Sequence, residues 1–154
     1  MPESPETTLM RFAFNLFPAY RGTGGWITYI ARDWSEIRIG LPLSWRTRNY
    51  VGTIYGGSMY GAVDPVYMIM LIRMLGPAFT VWDKAASIRF VRPGRGTLRA
   101  TCTINPQDVE SIRTELVSQP KTERVYSVQL KDAAGVVHAV VEKRLFIARR
   151  SGVA

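Results

Sequence analysis

Hydrophobic positions along the chain fall into stretches of helical spacing and stretches of alternation. Near the start, apolar residues recur every three or four positions after Ser4-Pro5, a pair typical of a helix N-terminus. These positions are Leu9, Phe12, Ala13, Leu16, Phe17 and Tyr20. The spacing predicts an N-terminal amphipathic helix within residues 1–21. We expect its apolar face to pack on the body of the protein, with a membrane surface and a partner protein as the alternatives.

Alternating and β-branched segments occupy much of the remaining chain and predict six strands. Their ranges are 26–30, 36–43, 86–91, 98–104, 125–131 and 136–147. The first two strands are expected to pair, and the turn Pro93-Gly94-Arg95-Gly96 is expected to join the third and fourth as a long hairpin. Asn105-Pro106 predicts the start of a short helix, which Pro120 closes.

The most apolar segment of the chain, residues 56–75, separates the second and third strands. It predicts a hydrophobic helix that ends at Gly76-Pro77 and is buried on most sides. Antiparallel strands can bury such a helix by curling around it as one sheet. We therefore expect an α+β fold, with residues 1–154 as one domain. The outer face of the sheet also needs covering, which favours a dimer or a tetramer.

Charge and cysteine content indicate the kind of partner that the protein binds and the compartment in which it occurs. The formal net charge is +8 and comes mostly from arginine, which favours an anionic partner: nucleic acid, a membrane surface or a phosphorylated cofactor such as coenzyme A. No nucleic-acid-binding motif accompanies this charge, so nucleic acid is not the expected partner. One cysteine and no secretion signal favour the cytoplasm. The longest apolar run is too short for a transmembrane segment.

Several classes of catalytic site find no support in the sequence. His138 and Cys102 each stand alone in predicted strands, with no metal-ligand spacing, nucleophile elbow, phosphate-binding loop or dinucleotide fingerprint. A single histidine in a strand is expected to be an ordinary sheet residue. The sequence therefore predicts neither a metal site nor a catalytic triad.

The start of the apolar helix carries the best candidate chemistry. Gly56 and Gly57 allow a ligand to approach free backbone N–H groups, which predicts an oxyanion site. Asp64 follows about two turns later among apolar residues, where a buried carboxylate needs partners or water. Asp64-Pro65 is also typical of an N-cap and first helical position. If the helix begins at Gly56 instead, Pro65 should bend it, because the carbonyl of Gly61 loses its donor.

The same residues resemble a known family motif. Asn49, Gly52-Thr53, Gly56-Gly57 and Asp64 match the N-x-x-G-T-x-H-G-G-x6-D pattern of hotdog-fold acyl-CoA thioesterases of the phenylacetic-acid-pathway type. The resemblance covers nearly the whole chain, and residues 88–96 resemble the first strand and hairpin after the central helix of that family. The chain is most similar to the tetrameric acyl-CoA thioesterase-like group within the DUF4442 branch.

This resemblance implies hydrolysis of an acyl-CoA or acyl-carrier-protein thioester that is bound between two protomers. Asp64 would be the general base or the nucleophile, and Gly56 or Gly57 would donate the N–H that polarises the thioester carbonyl. Asn49 would orient the carboxylate or the water, and Tyr55 takes the place of the family's histidine. Coenzyme A would be bound as part of the substrate, without a further cofactor or a metal.

Other positions have candidate roles around this site. Asp83, or its neighbour Ser87, corresponds to a family position that helps to hold water. Candidates for binding the phosphates of coenzyme A are Arg89, Arg92 and Arg95, with Arg46 and Arg48 as alternatives. The residues expected either to line an acyl tunnel or to pack in the core are Met59, Tyr60, Tyr67, Met68 and Met70.

A second function stays open beside hydrolysis. A non-catalytic acyl-CoA-binding protein of the same fold is the alternative, and an Asp64 that is ion-paired or used as a helix cap would favour it. A hotdog hydratase is less favoured, because such enzymes use a histidine near the central helix and His138 is distant in sequence.

Overall fold

Five helices and six strands make up residues 2–150, the part of the chain that the computed structural model describes. The helices are α1 (Pro5–Leu16), α2 (Pro18–Gly22), α3 (Gly56–Val63), α4 (Val66–Leu75) and α5 (Pro106–Ser118). The strands are β1 (Trp26–Ile30), β2 (Glu36–Leu41), β3 (Phe79–Phe90), β4 (Leu98–Thr103), β5 (Lys121–Lys131) and β6 (Val137–Arg149). Residues 1 and 151–154 of the expected domain lie outside the described residues. No helix within residues 2–150 is long and apolar enough to cross a membrane.

The strands form an antiparallel sheet in the order β1-β2-β4-β5-β6-β3, with α3 and α4 against its inner face. α3 packs on β2 and β6, and α4 packs on β3, so strands from both halves of the sheet meet one helical segment. The fully buried side chains of this segment are Ala62, Val63, Val66, Met70 and Leu71. The expected α+β architecture, a sheet curled around a hydrophobic helix, is confirmed.

The expected hairpin between the third and fourth strands is wrong. β3 pairs along its length with β6, whereas β4 lies between β2 and β5. β3 also begins at Phe79, well before the predicted start at residue 86. A register shift between Asp83 and Ala85 moves the inward-facing positions from odd-numbered to even-numbered residues. The alternation of the second half therefore does not continue into the first half, and the sequence pattern did not predict the first half as a strand. Alternation identifies the buried face of a strand but not its neighbour, so the pattern could not separate β6 from β4 as the partner.

The N-terminal helix packs with a different face from the one expected. It is divided into α1 and α2 at Phe17, which precedes Pro18. α1 packs on β1; Thr7 is buried, and Met10 and Phe14 are partly buried against the core. Of the six apolar positions that predicted the packed face, Tyr20 alone is fully buried. The large side chains of this set that stay more than half exposed are Leu9, Phe12, Leu16 and Phe17.

Polar side chains of the N-terminal segment explain which face of α1 packs. The Asn15 side chain binds the backbone of Ile27 twice, donating to its carbonyl at 2.8 Å and accepting from its N–H at 2.7 Å. Glu3, which is paired with Arg11 at 2.9 Å, accepts a hydrogen bond from the N–H of Ile30 at 3.0 Å. These bonds cover the outer edge of β1 with side chains. Hydrophobic spacing could not reveal this arrangement, because polar residues make the decisive contacts.

The chain after α2 passes close to the backbone of α3. A Cβ added to Gly25 would come within 2.5 Å of the Ala62 Cβ and 2.9 Å of its Cα. We expect Gly25→Ala to lower the free energy of unfolding by about 2 kcal/mol, because one of the two segments must move. Gly22→Ala is the control, since nothing lies within 4 Å of a Cβ there. Urea unfolding of both variants measures the difference, and equal stabilities would contradict the close approach.

An ion-pair network between α5 and β5 predicts how stability depends on pH. Glu115 accepts hydrogen bonds from Arg124 at 2.6 Å and from Thr122 at 2.6 Å, which lower the pKa of its carboxyl to about 2. Because this pKa lies below the ordinary 4.5, the contribution to stability is complete above pH 4.5 and is lost as the pH falls towards 2. The Glu115→Gln variant should therefore lose less free energy of unfolding than the wild type as the pH falls from 4.5 towards 2. Glu110→Gln, at an exposed position of the same helix, should leave the acid-unfolding curve as in the wild type, and a wild-type curve for Glu115→Gln would refute the assignment.

Candidate active site

A break in the central helical segment sets the position of Asp64. α3 begins at Gly56 and ends before Asp64, and α4 starts after Pro65. Pro65 has no N–H, so the carbonyl of Gly61 has no donor four residues later. The neighbouring carbonyl of Ala62 accepts a hydrogen bond from the Tyr20 hydroxyl at 2.9 Å. Pro65 therefore interrupts the helix, as predicted for a start at the glycine pair.

One carboxylate oxygen of Asp64 accepts two hydrogen bonds, and the other accepts none from the described residues. Its side chain does not cap α4; Oδ1 instead accepts hydrogen bonds from the Tyr60 hydroxyl at 2.5 Å and the Lys143 ammonium at 2.6 Å. Oδ2 has no hydrogen-bonding partner among residues 2–150, and 42% of the side chain is exposed. The arrangement leaves a fixed carboxylate with one free oxygen.

Lys143 is the central residue that the sequence analysis missed. Its side chain is fully buried on the inner face of β6, in line with Val141 and Leu145. Burial acts to lower the pKa of Lys143, but the hydrogen bonds to Asp64 and Tyr60 outweigh it and the pKa is raised. The ammonium therefore stays charged at neutral pH. A lysine at an apolar position of an alternating strand was the signal that could have revealed it.

Asp83 completes a cluster of two carboxylates around one ammonium. Its Oδ2 lies 3.1 Å from Lys143 Nζ, while Oδ1 is buried without a hydrogen-bonding partner among the described residues. Burial raises the pKa of the Asp83 carboxyl, against the opposing effect of Lys143. Ser87 does not join this cluster, because it pairs with Glu142 and faces the other side of the sheet.

The other residues of the motif lie at the start of α3. The N–H groups of Gly56 and Gly57 are in the first helical turn, where the helix offers them no acceptor. Tyr55 precedes them, and a Cβ on Gly57 would lie 2.4 Å from its ring. The Asn49 side chain is occupied within its own loop, donating to the Thr53 hydroxyl at 2.9 Å and accepting from the Thr53 N–H at 2.9 Å. Within one chain, Asn49 does not contact Asp64.

The candidate arginines are all exposed, and Arg92 lies near the start of α3. Arg92 lines a shallow cavity of about 360 Å³ together with Asn49, Thr53 and Gly56. The other candidates that are exposed are Arg89, Arg95, Arg46 and Arg48. One positive side chain therefore lies beside the free N–H groups of α3.

The aromatic and methionine residues of the central segment divide between core and site. Met59, Tyr67 and Met70 are buried in the core. Tyr60 binds Asp64, and Met68 is partly exposed beside it in a cavity. Core packing therefore accounts for Met59, Tyr67 and Met70, and the acyl-tunnel role stays a prediction for Tyr60 and Met68.

His138 and Cys102 are both buried within the sheet. His138 Nδ1 lies 3.0 Å from the carbonyl of Pro93, and Nε2 lies 3.1 Å from Asp132. Burial raises the pKa of the Cys102 thiol to about 12. The histidine thus has a partner for each nitrogen, and the thiol is not a ready nucleophile.

An apolar cavity of about 460 Å³, here named the N-terminal cavity, has Asp64 in its lining. It lies between α1 and α2 on one side and the break before α4 on the other. The lining residues are Ala13, Phe14, Phe17, Ala19, Tyr20, Thr23, Ile27, Gly61, Asp64, Pro65, Met68 and Ile69. Asp64 is the charged group in this lining.

Comparisons with known proteins agree with the motif. The family described as "Domain of unknown function (DUF4442)" matches residues 6–147. PA5026 of Pseudomonas aeruginosa, a protein of unknown function described as a probable thioesterase, has a similar structure: 21% identity over 97% of this chain and 99% of that one, with a TM-score of 0.83. Thioesterase HI1161 of Haemophilus influenzae shares 16% identity over 94% of this chain and 92% of that one, with a TM-score of 0.69.

A third similar structure has no stated activity. OLEI01261 of Chlorobaculum tepidum, of unknown function, shares 15% identity over 94% of each chain, with a TM-score of 0.75. No curated protein matches the sequence. The solved structures confirm the hotdog fold that the resemblance implied.

Proposed function

We propose that this chain, which belongs to the DUF4442 family, hydrolyses acyl thioesters of coenzyme A or of an acyl carrier protein. The state of Asp64 carries the proposal: Lys143 and Tyr60 hold Oδ1, and Oδ2 has no partner among residues 2–150 at the wall of an apolar cavity. Such a carboxylate is suited to orient and deprotonate a water molecule. Two proteins of the same fold, PA5026 and HI1161, are described as a probable thioesterase and a thioesterase, which supports the same reaction class here.

In the proposed reaction, water attacks the carbonyl carbon of the thioester while Asp64 Oδ2 takes one of its protons. The tetrahedral oxyanion then collapses, the carbon–sulfur bond breaks, and the leaving thiolate takes up the proton that Asp64 removed from water, which returns Asp64 to its carboxylate form. The products are a carboxylic acid and a free thiol. Lys143 and Tyr60 keep Oδ1 in place throughout. Coenzyme A enters as part of the substrate, and the reaction needs no other cofactor.

The oxyanion is proposed to bind the backbone N–H groups of a second copy. Eight residues of helix separate Gly56 from Asp64, a rise of about 12 Å, so one thioester carbonyl cannot contact both in the same chain. β3 is a twelve-residue strand at the end of the sheet, with no neighbour on its outer side among the described residues. We infer that two copies pair there and that Asp64 faces the partner's Gly56 and the partner's Gly57.

The phosphates of coenzyme A are assigned to Arg92, with Arg89 and Arg95 nearby in sequence. Arg92 supports this role best, because its cavity also contains Gly56. A guanidinium at this position can bind a phosphate through two N–H groups. The thioester would then extend from the arginine towards the start of α3.

One observation favours a non-catalytic acyl-CoA-binding protein as the second candidate. Asp64 already has an ionic partner, Lys143, without any substrate. A carboxylate in such a pair can serve to shape a binding site rather than to activate water. The two candidates differ in what happens to an acyl-CoA after it binds.

Release of free thiol from short, medium, long and aryl acyl-CoAs distinguishes the candidates. We expect the wild-type protein to hydrolyse at least one class. Binding of intact acyl-CoAs without thiol release across the panel would establish the second candidate instead. Asp64→Asn protein, purified in the same way, controls for contaminating thioesterases, and equal turnover in both preparations would remove Asp64 from the mechanism.

A further inference from the structure

The N-terminal cavity has almost no unused hydrogen-bonding capacity. Tyr20 donates its hydroxyl proton to the carbonyl of Ala62. The Thr23 hydroxyl donates to the carbonyl of Tyr20 at 2.7 Å and accepts from the N–H of Gly25 at 3.1 Å. Oδ2 of Asp64 is thus the polar side-chain atom of the lining that stays open among the described residues. An occupant therefore finds two acceptors, this oxygen and the Gly61 carbonyl that Pro65 leaves without a helical donor, and mostly hydrocarbon elsewhere.

Aromatic and aliphatic side chains form the remainder of the lining. Phe14 contributes from α1, Phe17 from the position directly after α1, and Met68 and Ile69 from α4. Phe17 is 60% exposed, so its ring leaves apolar surface in contact with water. The volume of about 460 Å³ is within the range of small-molecule sites. An apolar ligand would remove this surface from water.

We propose that the N-terminal cavity binds the hydrocarbon part of an uncharged acyl group, with the thioester end at Asp64. This inference rests on the proposed thioester hydrolysis and names its substrate class. A carboxylate at the far end of the acyl chain would lose its hydration among apolar side chains and would be repelled by the Asp64 carboxylate. The site therefore selects simple alkyl or aryl acyl groups against dicarboxylic ones.

The connection between α1 and α2 gives this site its length. The chain turns at Phe17-Pro18, which places Ala13 of α1 and Ala19 of α2 on the same cavity. These two small side chains leave space that larger ones would fill. The N-terminal segment thus determines how long an acyl chain the cavity can hold. None of its residues is proposed to take part in the reaction itself.

Binding of thioethers tests the cavity separately from the reaction. Octyl-coenzyme A, ethyl-coenzyme A and 7-carboxyheptyl-coenzyme A carry a methylene in place of the thioester carbonyl and cannot be hydrolysed. Each buried methylene should strengthen binding about fourfold, so calorimetry should show octyl-coenzyme A binding at least tenfold more tightly than the other two. Ala13→Trp should remove this preference and leave ethyl-coenzyme A binding unchanged. Ala133→Trp, in the exposed turn before β6, should retain the preference.

The outcomes separate this inference from the proposed function. An octyl preference that Ala13→Trp abolishes supports the cavity even if no acyl-CoA is hydrolysed. Equal binding of the three thioethers, or an octyl preference that survives Ala13→Trp, overturns the cavity assignment even if hydrolysis is observed. Thermal unfolding shows whether the Ala13→Trp variant is folded, and Ala19→Phe on α2 repeats the test from the other side of the cavity.

Discussion

Lys143→Met is expected to lower the free energy of unfolding by about 3 kcal/mol, because it leaves two carboxylates facing each other without their shared cation. Both Asp64 and Asp83 lie within hydrogen-bonding distance of the Lys143 ammonium, which is fully buried. The partial exposure of Asp64 keeps the expected loss at the lower end for a broken buried ion pair. Thioester hydrolysis should also fall about 100-fold, since Oδ1 of Asp64 loses the group that fixes it.

The pH dependence of Lys143→Met separates charge repulsion from simple loss of packing. Without Lys143, repulsion from Asp64 should raise the pKa of the Asp83 carboxyl in the folded variant further above its unfolded value. The variant then gains stability relative to wild type as the pH falls through that raised pKa towards about 4. Chemical unfolding at several pH values measures this change.

Lys84→Met is the matched control for this prediction. Lys84 is half exposed and pairs with Glu123 on the surface, so its replacement should cost less than about 1 kcal/mol. Equal losses in the two variants, or a Lys143→Met deficit that does not change with pH, would contradict the proposed cluster.

Asp64→Asn is expected to lower kcat by about 10²- to 10⁴-fold while the fold persists. The amide oxygen can still accept the hydrogen bonds of Tyr60 and Lys143, but the side chain can no longer take a proton from water. Because Asp83 still accompanies the lysine, the loss of stability should be smaller than in Lys143→Met. Steady-state thiol release, with unfolding curves on the same samples, tests both statements.

Asp33→Asn provides the comparison for Asp64→Asn. Asp33 lies in the turn between β1 and β2, where its carboxylate binds Ser35 away from the N-terminal cavity. The same chemical change should leave kcat at the wild-type value. A full rate in Asp64→Asn would assign the proton transfer to another group.

The sequence predicted features that depend on local patterns. Apolar residues on every side of 56–75 indicated the buried helix, and Pro65 indicated its break because a missing N–H acts within one turn. Asp64 stood out as a carboxylate among apolar residues, and its spacing from Gly56-Gly57 is also that of a known motif. The roles of Asn49, Tyr55 and the arginines stay predictions.

Features that depend on distant contacts could not be predicted in the same way. Lys143 lies 79 residues from Asp64, and nothing local to either residue indicates that they meet. The bulge beside Lys84 switches the inward-facing residues of β3 from odd to even numbers. Alternation alone therefore did not reveal the first half of the strand, or that Asp83 lies on the inner face of the sheet. The packed face of α1 was misjudged because Asn15 and Glu3 recognise backbone groups of β1.

The side-chain cover on β1 also determines how many copies can join one sheet. Asn15 and Glu3 occupy backbone groups of Ile27 and Ile30 that another strand would need. β3 at the opposite end of the sheet has no such cover among the described residues. If two copies pair through β3 as proposed, a covered β1 would lie at each outer end, and the combined sheet would end at twelve strands. Asn15→Ala with Glu3→Ala would leave these backbone groups without their side-chain partners, although α1 would still lie along β1.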